Sequence, residues 1–117
     1  MDVNEIVNAL LAGDLLTARQ WVADAQRTQV QWERLVRPSG LSDREMSVAA
    51  GIVELLAGRM GATPPAWTKS IGAVPELLVL DPGLEKMPRS FARAKSAGPE
   101  PLRSRNLIAL PDFLDVA

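Results

Sequence analysis

The sequence predicts a mainly α-helical protein built around one long central helix, and three observations lead there. Apolar residues recur at helical spacing through the first half of the chain. A capping-box pair, Ser42 and Glu45, opens a long apolar run that Gly61 closes. Eight of the nine prolines lie between Pro64 and Pro111, which restricts the second half to short elements and turns. With 117 residues and 47% hydrophobic content, the chain suits one self-standing domain, residues 1–117, and is too apolar for a disordered one.

The N-terminal part, residues 1–36, reads as a helical pair. Val3, Ile6, Val7, Leu10 and Leu11 form one amphipathic stripe. Gly13 and Asp14 then stop the first helix and cap a second, whose stripe is Leu15, Ala18, Val22 and Ala25. A break near Thr28 precedes a short helical turn from Trp32 to Val36, ended by Arg37-Pro38-Ser39-Gly40. The central helix is expected over about residues 42–60, with Leu41 and Met46 spaced as a hydrophobic staple. Ala49, Ile52, Val53, Leu56 and Met60 keep helical spacing, and Val48 and Leu55 widen the apolar face.

From 61 to 117 the chain is expected to wrap around that helix. Leu77–Leu80 is compatible with a buried strand or an apolar helical turn, and Leu107–Leu110 with an extended segment. Asp81-Pro82 has the pattern of an N-cap and first helical residue. Pro88 starts a short helix to about Ser96, and Gly98-Pro99-Glu100-Pro101 breaks it. Pro111 to Val116 reads as a final helical turn carrying Phe113 and Leu114.

Composition excludes several chemistries. With no Cys and no His there is no thiol nucleophile, no disulfide and no imidazole base. No catalytic, cofactor or metal site is expected: the carboxylates, Asp112 and Asp115 included, show no catalytic spacing, and no calcium-loop pattern occurs. Asp43 and Glu45 belong at a helix start. Lys69-Ser70 lacks the glycines of a P-loop, where Thr63 and Thr68 stand instead. The apolar runs are too short for a membrane span and the N-terminus is acidic, so the cytoplasm is the expected location.

The sharpest feature is electrostatic. Within a chain of net charge −1, residues 86–105 carry six basic side chains (Lys86, Arg89, Arg93, Lys95, Arg103, Arg105) and one acid, Glu100. Arg89 and Arg93 share a helix face. Such a strip suits an acidic protein partner or nucleic-acid phosphate, or is simply a solvated face. The helix start at Asp43-Arg44-Glu45 is too acidic to read DNA. Pro64-Pro65-Ala66-Trp67-Thr68 either presents Trp67 on a stiffened segment or folds it back as a lid.

The run Ile52-Val53-Glu54-Leu55-Leu56-Ala57-Gly58-Arg59-Met60-Gly61, the segment Pro65-Ala66-Trp67-Thr68, and Pro101-Leu102-Arg103-Ser104-Arg105-Asn106-Leu107-Ile108-Ala109-Leu110-Pro111 are similar to a class of small bacterial proteins. Those proteins resemble antitoxins, companions of nucleotidyltransferase-like toxins or C-terminal modules behind regulatory domains. The resemblance covers residues 41–117. It implies a non-enzymatic, protein-binding role with a partner encoded nearby, and it carries no catalytic residues. The absence of a DNA-binding domain ahead of the module argues against autoregulation. The expected partner-binding residues are Trp67, Phe113 and Leu114 as apolar anchors and Arg89, Arg93, Arg103 and Arg105 against an acidic, metal-binding cleft. The alternatives are a DNA-binding regulator acting as a homodimer through residues 86–105, and a scaffold subunit of a larger complex.

Overall fold

A computed structural model describes residues 1–115. Asp2 starts the first helix, α1 (Val3–Leu11), by accepting a hydrogen bond from the Asn4 amide at 2.9 Å. Its end is a Schellman motif: the Asp14 amide bonds the Ala9 carbonyl and the Gly13 amide bonds Leu10. Asp14 at once caps α2 (Leu15–Arg27), accepting from the Thr17 amide and hydroxyl, as its sequence position predicts. The Thr17 hydroxyl and then its amide hold the Asp14 carboxyl below its usual range. The expected turn after Thr28 is shorter than the sequence suggests: one 3₁₀ turn at Trp32–Arg34, with Leu35 already extended.

The central helix α3 (Asp43–Arg59) matches expectation closely. Both bonds of the capping box form, from the Ser42 amide to Glu45 Oε1 and from the Glu45 amide to Ser42 Oγ. At the other end the Ala62 and Gly61 amides close a second Schellman motif on Ala57 and Gly58. Every residue from Met46 to Val53 is buried, and α3 is the axis against which α1, the 3₁₀ turn Ala66–Ser70 and the helical turn Glu100–Arg103 pack. Helix α1 lies against both α2 and α3, and its Ile6 and Val7 are fully buried. Trp21 and Trp32 meet at 6.4 Å between ring centroids, tilted by 56°, an ordinary aromatic packing geometry.

The second half wraps this helical core and contains a short βαβ unit. Strand β1 (Leu78–Val79) pairs in parallel with β2 (Leu107–Ile108), settling both segments as extended. Parallel pairing demands a crossover, supplied by a 3₁₀ turn at Leu84–Lys86, helix α4 (Pro88–Ala97) and the single-turn α5 (Glu100–Arg103). Side-chain alternation splits the ribbon. Leu78, Leu80, Leu107 and Ala109 join the main core, while Val79, Ile108 and Leu110 face Leu84, Phe91 and Ala94 beneath α4. The Cα radius of gyration is 13.2 Å, close to the ~13 Å expected of one compact body of this length.

Two sequence expectations are corrected here. Asp81-Pro82 does not cap a helix. Gly83 sits at φ 79°, ψ −2°, and the Leu84 amide bonds the Asp81 carbonyl at 3.1 Å. That is a type II turn, with Pro and Gly at the positions this turn favours. Pro111 to Leu114 forms turns rather than helix, because Leu114 takes φ 58°, a left-handed value that interrupts helical winding. Val116 lies outside the described residues.

Gly98 connects α4 to α5 in a space closed by main chain. A Cβ there would stand 2.5 Å from the Ala94 carbonyl oxygen and 2.6 Å from that of Ala109. Exposed Gly58 in α3 has nothing within 4 Å of such an atom. Gly98→Ala is therefore expected to destabilise by about 1–3 kcal/mol through overpacking. Gly58→Ala should stabilise by about 0.5–1 kcal/mol through helix propensity. Denaturant melts of the two variants check the pair, and equal shifts would contradict this account.

Candidate functional site

Helix α4 carries the candidate site. Pro88 occupies its first turn, where a missing amide is harmless, and no acidic residue lies within it. Ala94 is buried against the ribbon, so the opposite side of the helix faces solvent. Arg89 and Arg93 lie one turn apart, and Lys86, Arg89, Arg93, Lys95 and Arg103 are all exposed. Lys95 Nζ sits 5.6 Å above the centre of the Phe91 ring, a cation–π contact that steadies it beside the small α4 core. Arg103 Nη1 donates to the Ser96 carbonyl at 2.8 Å, placing its charge near the C-terminal, negative end of the α4 dipole. Five exposed cations thus make a band in sequence, across the 3₁₀ turn, α4 and α5, with Glu100 as the acid set among them.

Arg105 does not belong to this band, which corrects the sequence reading. Its side chain is 8% exposed and all five guanidinium N–H donors are engaged. Nη1 donates to Glu54 Oε1 at 2.8 Å and to the Pro101 carbonyl at 2.9 Å. Nη2 donates to Glu54 Oε2 at 3.1 Å and to the Thr68 carbonyl at 2.9 Å, and Nε to the Ile71 carbonyl at 3.2 Å. A buried, saturated guanidinium has no donor left for a partner. Burial is the largest single influence and pushes the Glu54 carboxyl upward, but hydrogen bonding from Arg105 and Thr68 together with the charges of Arg105 and Lys69 outweighs it, and the net effect is a lowered pKa.

The apolar anchors are also engaged internally. Phe113 and Leu114 are 4% and 2% exposed within the main core. Arg59 holds this tail, Nη1 donating to the Phe113 carbonyl at 2.6 Å and Nη2 to the Pro111 carbonyl at 3.1 Å. Trp67 folds back onto the main core and donates its indole N–H to the Leu35 carbonyl at 2.9 Å. Of the seven predicted contact residues, the structure exposes Arg89 and Arg93 one turn apart on α4, and Arg103 on α5 beside the C-terminal end of α4. It commits Arg105, Phe113 and Leu114 to the interior and leaves Trp67 half-buried.

Glu54, Arg59 and Asn106 were missed. Asn106 adopts φ 63° and donates Nδ2 to the Val74 carbonyl at 2.7 Å, a left-handed position that Asn tolerates. Glu54 did leave a trace in the sequence: a carboxylate interrupting an otherwise apolar helix face needs a cation from elsewhere in the chain. Among the described residues, no group of acidic side chains is placed to hold a metal ion, and no helix is long and apolar enough to cross a membrane. The chain matches no family model, no curated protein and no solved structure.

Two outcomes follow from the buried ion pair. Arg105→Ala strands the Glu54 charge and should cost about 3–5 kcal/mol, and Arg105→Lys should restore only part because it cannot pair bidentately. Since the folded Glu54 pKa lies below its unfolded value, the stability it contributes is full above the ordinary glutamate range. That stability disappears as pH falls through the lowered folded value. Urea midpoints of wild type and Glu54→Gln across the acid range check the sign: the two curves should converge on acidification.

Proposed function

We propose that this chain is a non-enzymatic binding protein whose α4 band docks against an acidic cleft of an enzyme encoded beside it. The reading is an antitoxin-like neutraliser of a nucleotidyltransferase-type toxin, acting in the bacterial cytoplasm. The observation that carries it is the exposed set Arg89, Arg93 and Lys95 on a helix with no acid of its own, flanked by exposed Lys86 in the turn before it and Arg103 on α5 after it. Outside residues 86–105 the chain holds seven basic and thirteen acidic residues, a net −6. That remainder repels any extended anion, so a partner whose negative charge is confined to one cleft facing the band fits better than a long nucleic-acid backbone. The neutralising mechanism is steric and electrostatic: α4 fills the cleft, and its arginines pair with carboxylates that would otherwise hold the enzyme's metal ions.

Trp67, Phe113 and Leu114 have no contact role in this version, because they hold the fold that presents α4. The band instead brings exposed Met87 as its apolar component. The test pairs capture with inhibition. The tagged protein should retain one stoichiometric chain from native lysate and suppress that chain's enzymatic activity. Arg89→Glu with Arg93→Glu should weaken the interaction about tenfold or more while leaving the melting temperature unchanged. Capture of nucleic acid alone, with affinity falling steeply between about 50 and 200 mM salt, would favour the DNA-binding alternative. A captured enzyme that stays fully active would reduce the role to a scaffold.

A further inference from the structure

Away from α4, a cleft of about 350 Å³ opens between the first turns of α3 and the segment 73–78. That volume is at the small end of ligand pockets, enough for a metabolite of amino-acid size. One wall is Asp43, Arg44 and Ser47; the other is the chain from Ala73 to Leu78.

The second wall is irregular in sequence yet fixed in place. Ser47 Oγ donates to the Gly72 carbonyl at 2.8 Å and the Val74 amide to the Arg105 carbonyl at 3.1 Å. Asn106 Nδ2 donates to the Val74 carbonyl at 2.7 Å, and the Leu78 amide to the Asn106 carbonyl at 2.9 Å. A wall held at four points needs little ordering when a ligand arrives, which removes one cost of binding.

The charges lining the cleft are of both signs, and none of them is held in an ion pair among the described residues. The ion pairs among the described residues are Arg27–Asp24 and Arg105–Glu54, so Arg44, Asp43 and Glu76 stand outside them. Beside these charges lie apolar Val74, Leu78 and Leu77, the last 50% exposed. A cation, carboxylates and an aliphatic wall around one small volume match the three parts of an α-amino acid. The guanidinium of Arg44 takes the carboxylate in a forked pair, Glu76 and Asp43 take the ammonium, and the aliphatic wall takes the side chain. Arg44 also lies in the first turn of α3, the end whose dipole favours an anion.

We propose that this cleft binds a free α-amino acid with an apolar side chain. The site is separate from the α4 band and does not depend on that band's function.

The test is a titration of the full chain with L-leucine, followed residue by residue through amide NMR shifts. Saturable shifts confined to residues 43–47 and 73–78 are expected. Blocking either charged end, with N-acetyl-L-leucine or L-leucinamide, should weaken binding about tenfold or more, as should Arg44→Ala or Glu76→Ala. Arg44 and Glu76 are exposed, so both variants should keep the wild-type spectrum elsewhere. The Arg89→Glu/Arg93→Glu variant should bind leucine normally, which keeps this result distinct from the partner assay. Absence of saturable shifts, equal binding of the blocked derivatives, or binding untouched by both cleft variants would overturn the proposal.

Discussion

The fold depends on one buried guanidinium. Arg105 lies two residues past the end of α5, yet it bonds α3 through Glu54, the turn after Pro65 through Thr68 and Ile71, and α5 through Pro101. Its backbone carbonyl also accepts the Val74 amide at the approach to β1. The proline-rich half has few long elements with which to bury surface, so a polar hub does what a helix interface does elsewhere. Such a hub has to be complete, because a buried charge with a missing partner costs more than no charge at all. Five donors meeting five acceptors satisfies that condition.

Further polar ties, from Arg59 to the tail and from Trp67 to Leu35, decide which side chains reach the surface. The tail and Trp67 pack inward, and the large apolar side chains left exposed among the described residues are Leu16, Val36, Leu77, Met87 and Met1. The charged surface, by contrast, is organised. Helix α4 rests on a small separate core of Leu84, Ala94 and Ile108, and its exposed residues are Arg89, Arg93 and Lys95 with Pro88, Ala92, Ser96 and Ala97 alongside them. Electrostatics rather than hydrophobic area is then the property that distinguishes this face from the rest of the molecule, and electrostatics governs encounter rate and partner choice more than raw affinity.

The first half was legible because its signals are local. Asp14, Ser42 with Glu45, and Gly61 each act on backbone groups a few residues away, so their roles follow from spacing. The second half resisted for the opposite reason. Whether Leu78–Val79 is a strand depends on Leu107–Ile108, and nothing within four residues of either segment records that pairing. The candidate site divides along the same line. Arg89 and Arg93 were readable from an i, i+4 interval on a helix opened by proline. Arg105, two residues beyond Arg103, looked identical in sequence and differs only because Glu54, fifty-one residues earlier, faces it.

The crossover between β1 and β2 has a consequence for how this molecule can be dissected. The basic helix is ten residues long, short enough that alone in water it would be mostly uncoiled. Its shape is supplied by a ribbon whose two strands come from either side of it and by a hub whose carboxylate lies in the other half of the chain. A synthetic peptide spanning α4 would therefore reproduce the charge of this face without its geometry. Cleavage anywhere between Glu54 and Arg105 would separate the two halves of the hub at the level of covalent structure. The surface is a property of the whole chain.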